Sequence, residues 1–280
     1  MFPGIPVRRW LLRVRSCFFG IVISSSLPAI FAAPSHAVIG GEELAMRHFI
    51  TKYVVGIRYE DDKGAKKICA GAIIGSHIVV TAAHCTSKTL ASMSVVFGDS
   101  MRPDRVAAQL AVASVRVHEN FEKSRDLIPN PYDIAVIRTK TPLPAAARHQ
   151  QLAAGFFPIS QIPTVYVVGY GAISVGRDGK AVGQGQLYSA IAHRTTKPEY
   201  DEKLMIAIDQ SKGTGICLGD GGAPMVVENK DGFILMGIAS TIFEAEDAGN
   251  MCGGVTTFVN VHEFQEWIIQ QAFELMQVYR

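Results

Sequence analysis

Between residues 53 and 97 the chain carries short apolar, β-branched runs separated by Gly, Asp and Lys turns: Tyr53-Val54-Val55-Gly56-Ile57, Ala72-Ile73-Ile74, His77-Ile78-Val79-Val80 and Ser94-Val95-Val96-Phe97. Runs of this length and composition predict strands, and their recurrence predicts an all-β architecture. A Pro- and Ala-rich stretch from Thr141 to Ala154 breaks the rhythm. It resumes with Val165-Tyr166-Val167-Val168, Leu204 to Ile208, Met225-Val226-Val227, Phe233 to Ile238 and Val255 to Val259, which suggests two β-lobes joined near residue 150. Only Val261 to Met276 shows helical spacing, with Phe264, Trp267, Ile268 and Phe273 able to share one face, so a terminal helix docked on a lobe is expected.

The first 37 residues differ from the rest. Arg8, Arg9, Arg13 and Arg15 precede a carboxylate-free apolar run from Phe18 to Ala33, followed by Pro34-Ser35-His36-Ala37. Basic region, apolar region and small-x-small site in that order read as a signal peptide over residues 1–37. The run is interrupted by three serines and a proline and is short for a bilayer span. A secreted or periplasmic chain, without a membrane anchor after cleavage, is expected. Arg8-Arg9-Trp10-Leu11-Leu12 resembles a twin-arginine export signal only loosely.

At 280 residues and 48% apolar, the chain can bury a substantial core. Its formal charge of +2 belongs to the leader: without the four leader arginines, 23 basic residues face 25 acidic ones. Without a basic stripe or a recognisable nucleic-acid module, a nucleic-acid partner is excluded. Of five cysteines, Cys17 leaves with the leader, and Cys69, Cys85, Cys217 and Cys252 remain as an even set, expected to form two disulfides. None is spaced C-x-x-C, so no metal is expected, and no nucleotide loop or cofactor motif is present.

The most specific string is Thr81-Ala82-Ala83-His84-Cys85, preceded by Cys69-Ala70-Gly71-Ala72-Ile73-Ile74. It resembles the histidine motif of the trypsin/chymotrypsin family of serine proteases. About fifty residues on, Asp133-Ile134-Ala135-Val136-Ile137 resembles the aspartate motif of that family, and Val168-Gly169-Tyr170-Gly171 its Gly-Trp-Gly strand with tyrosine for tryptophan. The serine motif of the family reads Gly-Asp-Ser-Gly-Gly-Pro; this chain has Cys217-Leu218-Gly219-Asp220-Gly221-Gly222-Ala223-Pro224, with glycine in the serine's place. Cys217, Gly219, Asp220, Gly222 and Pro224 fix the register, and neither Ser211 nor Ser240 can readily stand in.

The resemblance implies two six-stranded antiparallel β-barrels of the chymotrypsin type with a C-terminal α-helix. The first barrel would span about 38–150 and the second about 151–258, with the helix at about 261–276. It assigns His84 as general base and Asp133 as the carboxylate that fixes its tautomer. The backbone N–H groups of Gly219 and Gly221 would form the oxyanion hole. Val38, in Val38-Ile39-Gly40-Gly41, would be the mature N-terminus whose ammonium pairs with Asp220, and the Ser35-His36-Ala37 site abutting it implies no zymogen stage. Cys69 would pair with Cys85, and Cys217 with Cys252. Gly215 would form the floor of the specificity pocket, the Ser240-Thr241-Ile242 strand one wall and Gly254 another, an uncharged pocket narrowed by Ile242 toward small apolar side chains.

A monomeric homologue without its nucleophile is therefore expected to bind peptides, protease inhibitors or other proteases in its cleft rather than cut them. Two alternatives stay open: an active endopeptidase whose sequence here carries a serine-to-glycine change, and slow hydrolysis by water that His84 activates. Enzymes of this family stripped of one triad member are the standard worked case and keep only ~10³- to 10⁴-fold over water.

Overall fold

The computed structural model describes residues 40–45, 47–87, 89–153, 164–175, 180–195, 201, 203–243 and 252–277. The proposed signal peptide and Val38 lie outside them. Six strands form the first barrel: β1 (Val54–Glu60), β2 (Lys66–Ile73), β3 (Ile78–Thr81), β4 (Ser94–Phe97), β5 (Ala108–Val117) and β6 (Ala135–Thr139). They pair in the closed order β1-β2-β3-β6-β5-β4, all antiparallel. Closure leaves no free edge to template aggregation.

The second lobe holds β7 (Val165–Gly169), β8 (Tyr188–Thr195), β9 (Met205–Asp209), β10 (Pro224–Asn229), β11 (Gly232–Ile242) and β12 (Val255–Asn260). Its order is β8-β9-β12-β11-β10-β7, and β7 pairs back onto β8, so this ring also closes with six antiparallel strands. Glu42–Glu43 adds to the edge of β8, with Glu42 opposite Ser189. Gln151–Leu152 adds to β11 in parallel. The fold expected from the sequence is the fold observed.

The strands are short and branched because each barrel wall is buried on its inner face and, in places, on both. All four residues of β3 are buried, as is every residue of β6. Tyr53 and Phe233 meet edge to face at 5.1 Å, and the buried Gln150 amide donates to the Tyr53 carbonyl, so the segment joining the lobes is packed and hydrogen-bonded rather than loose.

The helix α1 runs from Gln265 to Gln277, starting later than the apolar spacing from Val261 predicts. The reason is local: the Asn260 side chain accepts the His262 N–H and the Asn260 carbonyl accepts the Glu263 N–H, a turn that competes with helical bonding over the first residues. Its buried residues Ile268 and Leu275 face the core. Ahead of it and within it, Phe264 and Trp267 close on His118, which also stacks on Tyr132 at 5.0 Å. The Trp267 indole N–H donates to Glu119. The start of α1 is thereby pinned to the first barrel, next to the residue that precedes Asp133.

Candidate active site

His84 sits in a single 3₁₀ turn, Ala83–Cys85, at the end of β3, where the chain leaves the barrel wall. The preceding strand fixes that exit point: Thr81 Oγ1 donates to the Ala70 carbonyl of β2, and Ala83 and Cys85 are buried on either side. Asp133 stands two residues before β6, the neighbour of β3, so 49 residues of intervening chain fold back to bring the pair together. The carboxylate accepts the His84 backbone N–H at 2.9 Å on Oδ1 and the imidazole Nδ1–H at 2.7 Å on Oδ2. Because a carboxylate only accepts, Nδ1 carries the proton in the neutral ring and Nε2 is left as the base. Ser240, at the end of β11, donates to the same Oδ2 at 2.6 Å. Its hydroxyl proton is thus already engaged.

Charge and burial pull in opposite directions at this pair. Burial works against the His84 cation, but the Asp133 charge and hydrogen bond outweigh it and raise the imidazole above its ordinary value. Burial opposes the Asp133 anion too; the His84 charge and the bonds from His84 and Ser240 overcome it and hold the carboxyl below the ordinary range. The His84 side chain keeps 38% of its surface exposed while Asp133 keeps 5%, so the ring edge meets the cleft and the carboxylate does not.

Gly221 lies directly against the imidazole. A Cβ built on it would fall inside contact distance of His84 Nε2 and 3.0 Å from both His84 Cε1 and Cys85 Sγ. The ring therefore occupies the volume that any side chain at 221 would need. The Gly221 carbonyl accepts the Ala70 N–H at 2.8 Å, which ties the loop to the first barrel. Gly219, at φ +96°, takes a backbone conformation that L side chains rarely adopt. Among the described residues no acceptor takes the N–H of Gly219 or of Gly221, and both remain available for an oxyanion.

Asp220 is fully buried. Its Oδ1 accepts the Gly171 N–H at 2.7 Å and its Oδ2 the Cys217 N–H at 2.9 Å. The carboxyl fills the space beside Gly169 and Gly171, where any Cβ would collide with it; the Gly-Tyr-Gly string is the imprint of that carboxyl. Burial outweighs the two bonds and pushes its pKa up to about 7. Gly40, two residues after Val38, packs against Gly213 and Thr214, just ahead of Gly215.

Both disulfides have the expected partners, Cys69–Cys85 and Cys217–Cys252. Among the described residues the metal-ligating side chains that cluster are Cys69, His84 and Cys85, but the two sulfurs are joined to each other and offer no thiolate to an ion. No described helix is long and apolar enough to cross a membrane.

A cleft of about 380 Å³ opens over the site, lined by His84, Asp133, Ile216, Leu218, Gly219, Gly221 and the Ser240–Ile242 strand, with Leu127 and Asn130 across from them. Ser240 and Ile242 thus lie where the resemblance puts a pocket wall. Gly215 and Gly254 are both buried and do not line the opening. Leu127, 53% exposed, gives the rim an apolar edge that the sequence did not signal, because a lone leucine between Asp126 and Ile128 has no periodic partner.

The arrangement brings together a base, its orienting carboxylate and two free backbone donors, the parts that acyl transfer needs apart from a nucleophile. The chain is 28% identical over 73% of its length to ovochymase of Halocynthia roretzi, of which it spans only 13%. It is 26% identical over 92% of its length to trypsin eta of Drosophila erecta, covering 97% of that protein. A solved HL collagenase structure superposes with a TM-score of 0.65 over 84% of this chain and 98% of the other, at 21% identity, which establishes likeness of fold. The family model described as trypsin matches residues 38–268, and the chain therefore belongs to the trypsin family.

Proposed function

We propose that this protein is an exported trypsin homologue that binds extended peptide in its cleft without cutting it. The observation that carries the reading is the closure of His84 onto Gly221: no hydroxyl is offered to Nε2, and the imidazole already fills the place one would take. The peptide-binding parts meanwhile remain open, namely the two N–H groups at Gly219 and Gly221 and the apolar walls made by Ile216, Leu218 and Ile242. Export rests on the leader pattern in residues 1–37 and on the two disulfides, which persist in oxidising compartments. One observation favours a second reading, an active endopeptidase with serine at 221: the His84–Asp133–Ser240 network is complete.

The test is peptide hydrolysis by the chain beginning at Val38, beside its Gly221→Ser form, with small apolar and basic residues before the scissile bond. The proposal expects no turnover by the Gly221 protein, and binding of uncleaved peptide. Robust cleavage by the Gly221 protein overturns it.

A further inference from the structure

Gln210 follows β9 directly and lies wholly buried beneath the segment that carries the cleft wall. Its carboxamide makes four hydrogen bonds. Oε1 accepts the Ile216 N–H at 2.7 Å and the Thr256 hydroxyl at 2.7 Å. Nε2 donates to the Ile216 carbonyl at 3.0 Å and to the Cys252 carbonyl at 2.5 Å. Its backbone N–H also donates to the Gly254 carbonyl. One side chain thus ties together the 215–216 segment, the half-cystine at 252 and the start of β12.

The same amide occupies the space in front of Gly215. A Cβ built on Gly215 would collide with the Oε1, Cδ and Cγ atoms of Gln210. Both sides of the opening tell the same story: Ile216 and Ile242 line it, and Gly215, Gly254 and Thr256 do not. A primary amide has two N–H donors and two acceptor lone pairs on oxygen, and here all four are used within the protein. The Gln210 amide therefore presents no spare donor or acceptor and no charge to an entering side chain.

We propose that Gln210 is the specificity-determining residue of this cleft: it closes the pocket floor, limiting the ligand to peptides that present a small uncharged side chain, alanine to valine in size. The assignment of ligand class rests on the peptide-binding reading above; the assignment of pocket depth does not. A larger side chain would have to displace the amide and break its bonds, and a charged one would find no partner in the amide.

Two measurements test this. First, indole is titrated into the wild-type protein and into Gln210→Ala, with the methyl resonance of Thr256, which does not line the opening, as reporter. Indole should leave it unperturbed in the wild type and shift it in the variant, whose vacated space adjoins it. If Gln210→Ala does not fold, Gln210→Ser, which keeps a small polar group, is read in the same way; the wild-type arm stands whichever variant folds. Indole that shifts the Thr256 methyl in the wild type, or a folded variant that excludes it, overturns the proposal. Second, fluorescent peptides differing only in Ala, Val, Phe or Arg at the pocket position are bound to the wild type. Alanine and valine should exceed phenylalanine and arginine by at least ~10-fold, with the preference moving toward phenylalanine in the variant. Equal binding of all four overturns the inference while leaving peptide binding intact. No peptide binding, together with the expected indole result, overturns the function proposal and leaves the pocket assignment standing.

Discussion

Asp220 gives the sharpest physical test of the site. Its carboxyl is fully buried, bonded among the described residues to the Gly171 and Cys217 N–H groups, and its pKa is pushed from 3.8 up to about 7. The folded state then holds this proton more tightly than the unfolded chain does, so the contribution to stability is nil below both values and becomes a penalty as pH rises. Each pH unit across the gap is worth ~1.4 kcal/mol, so the loss between pH 4 and pH 7 amounts to about 4 kcal/mol, and stability is flat with respect to this group above that. Asp220→Asn cannot ionise. It should be less stable than wild type near pH 4 by ~1–3 kcal/mol, because its Nδ2 faces a backbone N–H where an oxygen had accepted one. The two stabilities should cross on the way to pH 8. The assay is urea unfolding of both proteins from pH 4 to pH 8, in a chain that keeps a short extension before Val38. A difference between them that stays constant across this range refutes the reasoning. Repeating the assay with Val38 as the free N-terminus then reads the proposed ammonium pair directly, since a paired Asp220 loses the decline.

Other consequences can be checked separately. For the His84–Asp133 pair, the raised imidazole contributes stability below its ordinary value, lost as pH rises through the higher folded value; the lowered carboxyl contributes above its ordinary value, lost as pH falls through the lower folded one. NMR titration should accordingly show the His84 pKa falling in Asp133→Asn. His84→Ala leaves a buried carboxylate with fewer partners and should cost ~3–5 kcal/mol in urea unfolding at pH 7. Replacing Cys217 and Cys252 by alanine opens a loop with sequence separation 35 and should cost about 4 kcal/mol, read by denaturant midpoint. Gly40→Ala places a Cβ at φ +66° against the Gly213 carbonyl and should lower stability by ~1–3 kcal/mol in the same measurement.

Much of this was legible in the sequence because a barrel strand buried on both faces, such as β3, is written as an uninterrupted branched run. The strand β5 was not, since it is alanine-rich and largely uncovered, and half-exposed alanine carries little β preference. The motif positions His84, Asp133 and Gly221 could be picked out because each stands in a distinctive string, and the fold draws them together. Gln210 could not: a glutamine after a strand reads as a solvated turn residue, and its four bonds go to backbone and hydroxyl groups as far as 46 positions away. Nor could the close contact of His84 with Gly221, which depends on the space left where a side chain is absent rather than on one that is present.

The clasp of Phe264 and Trp267 on His118 and Tyr132 has a consequence for how the molecule is made. The first barrel emerges from the ribosome complete in strands but without the residues that cover His118, which come well over a hundred positions later. The loop that delivers Asp133 therefore waits for a brace made far later in the chain. A molecule cut between Asn260 and Phe264 would keep the strands of both barrels but lose that brace, so a protease acting there would loosen the cleft from a distance.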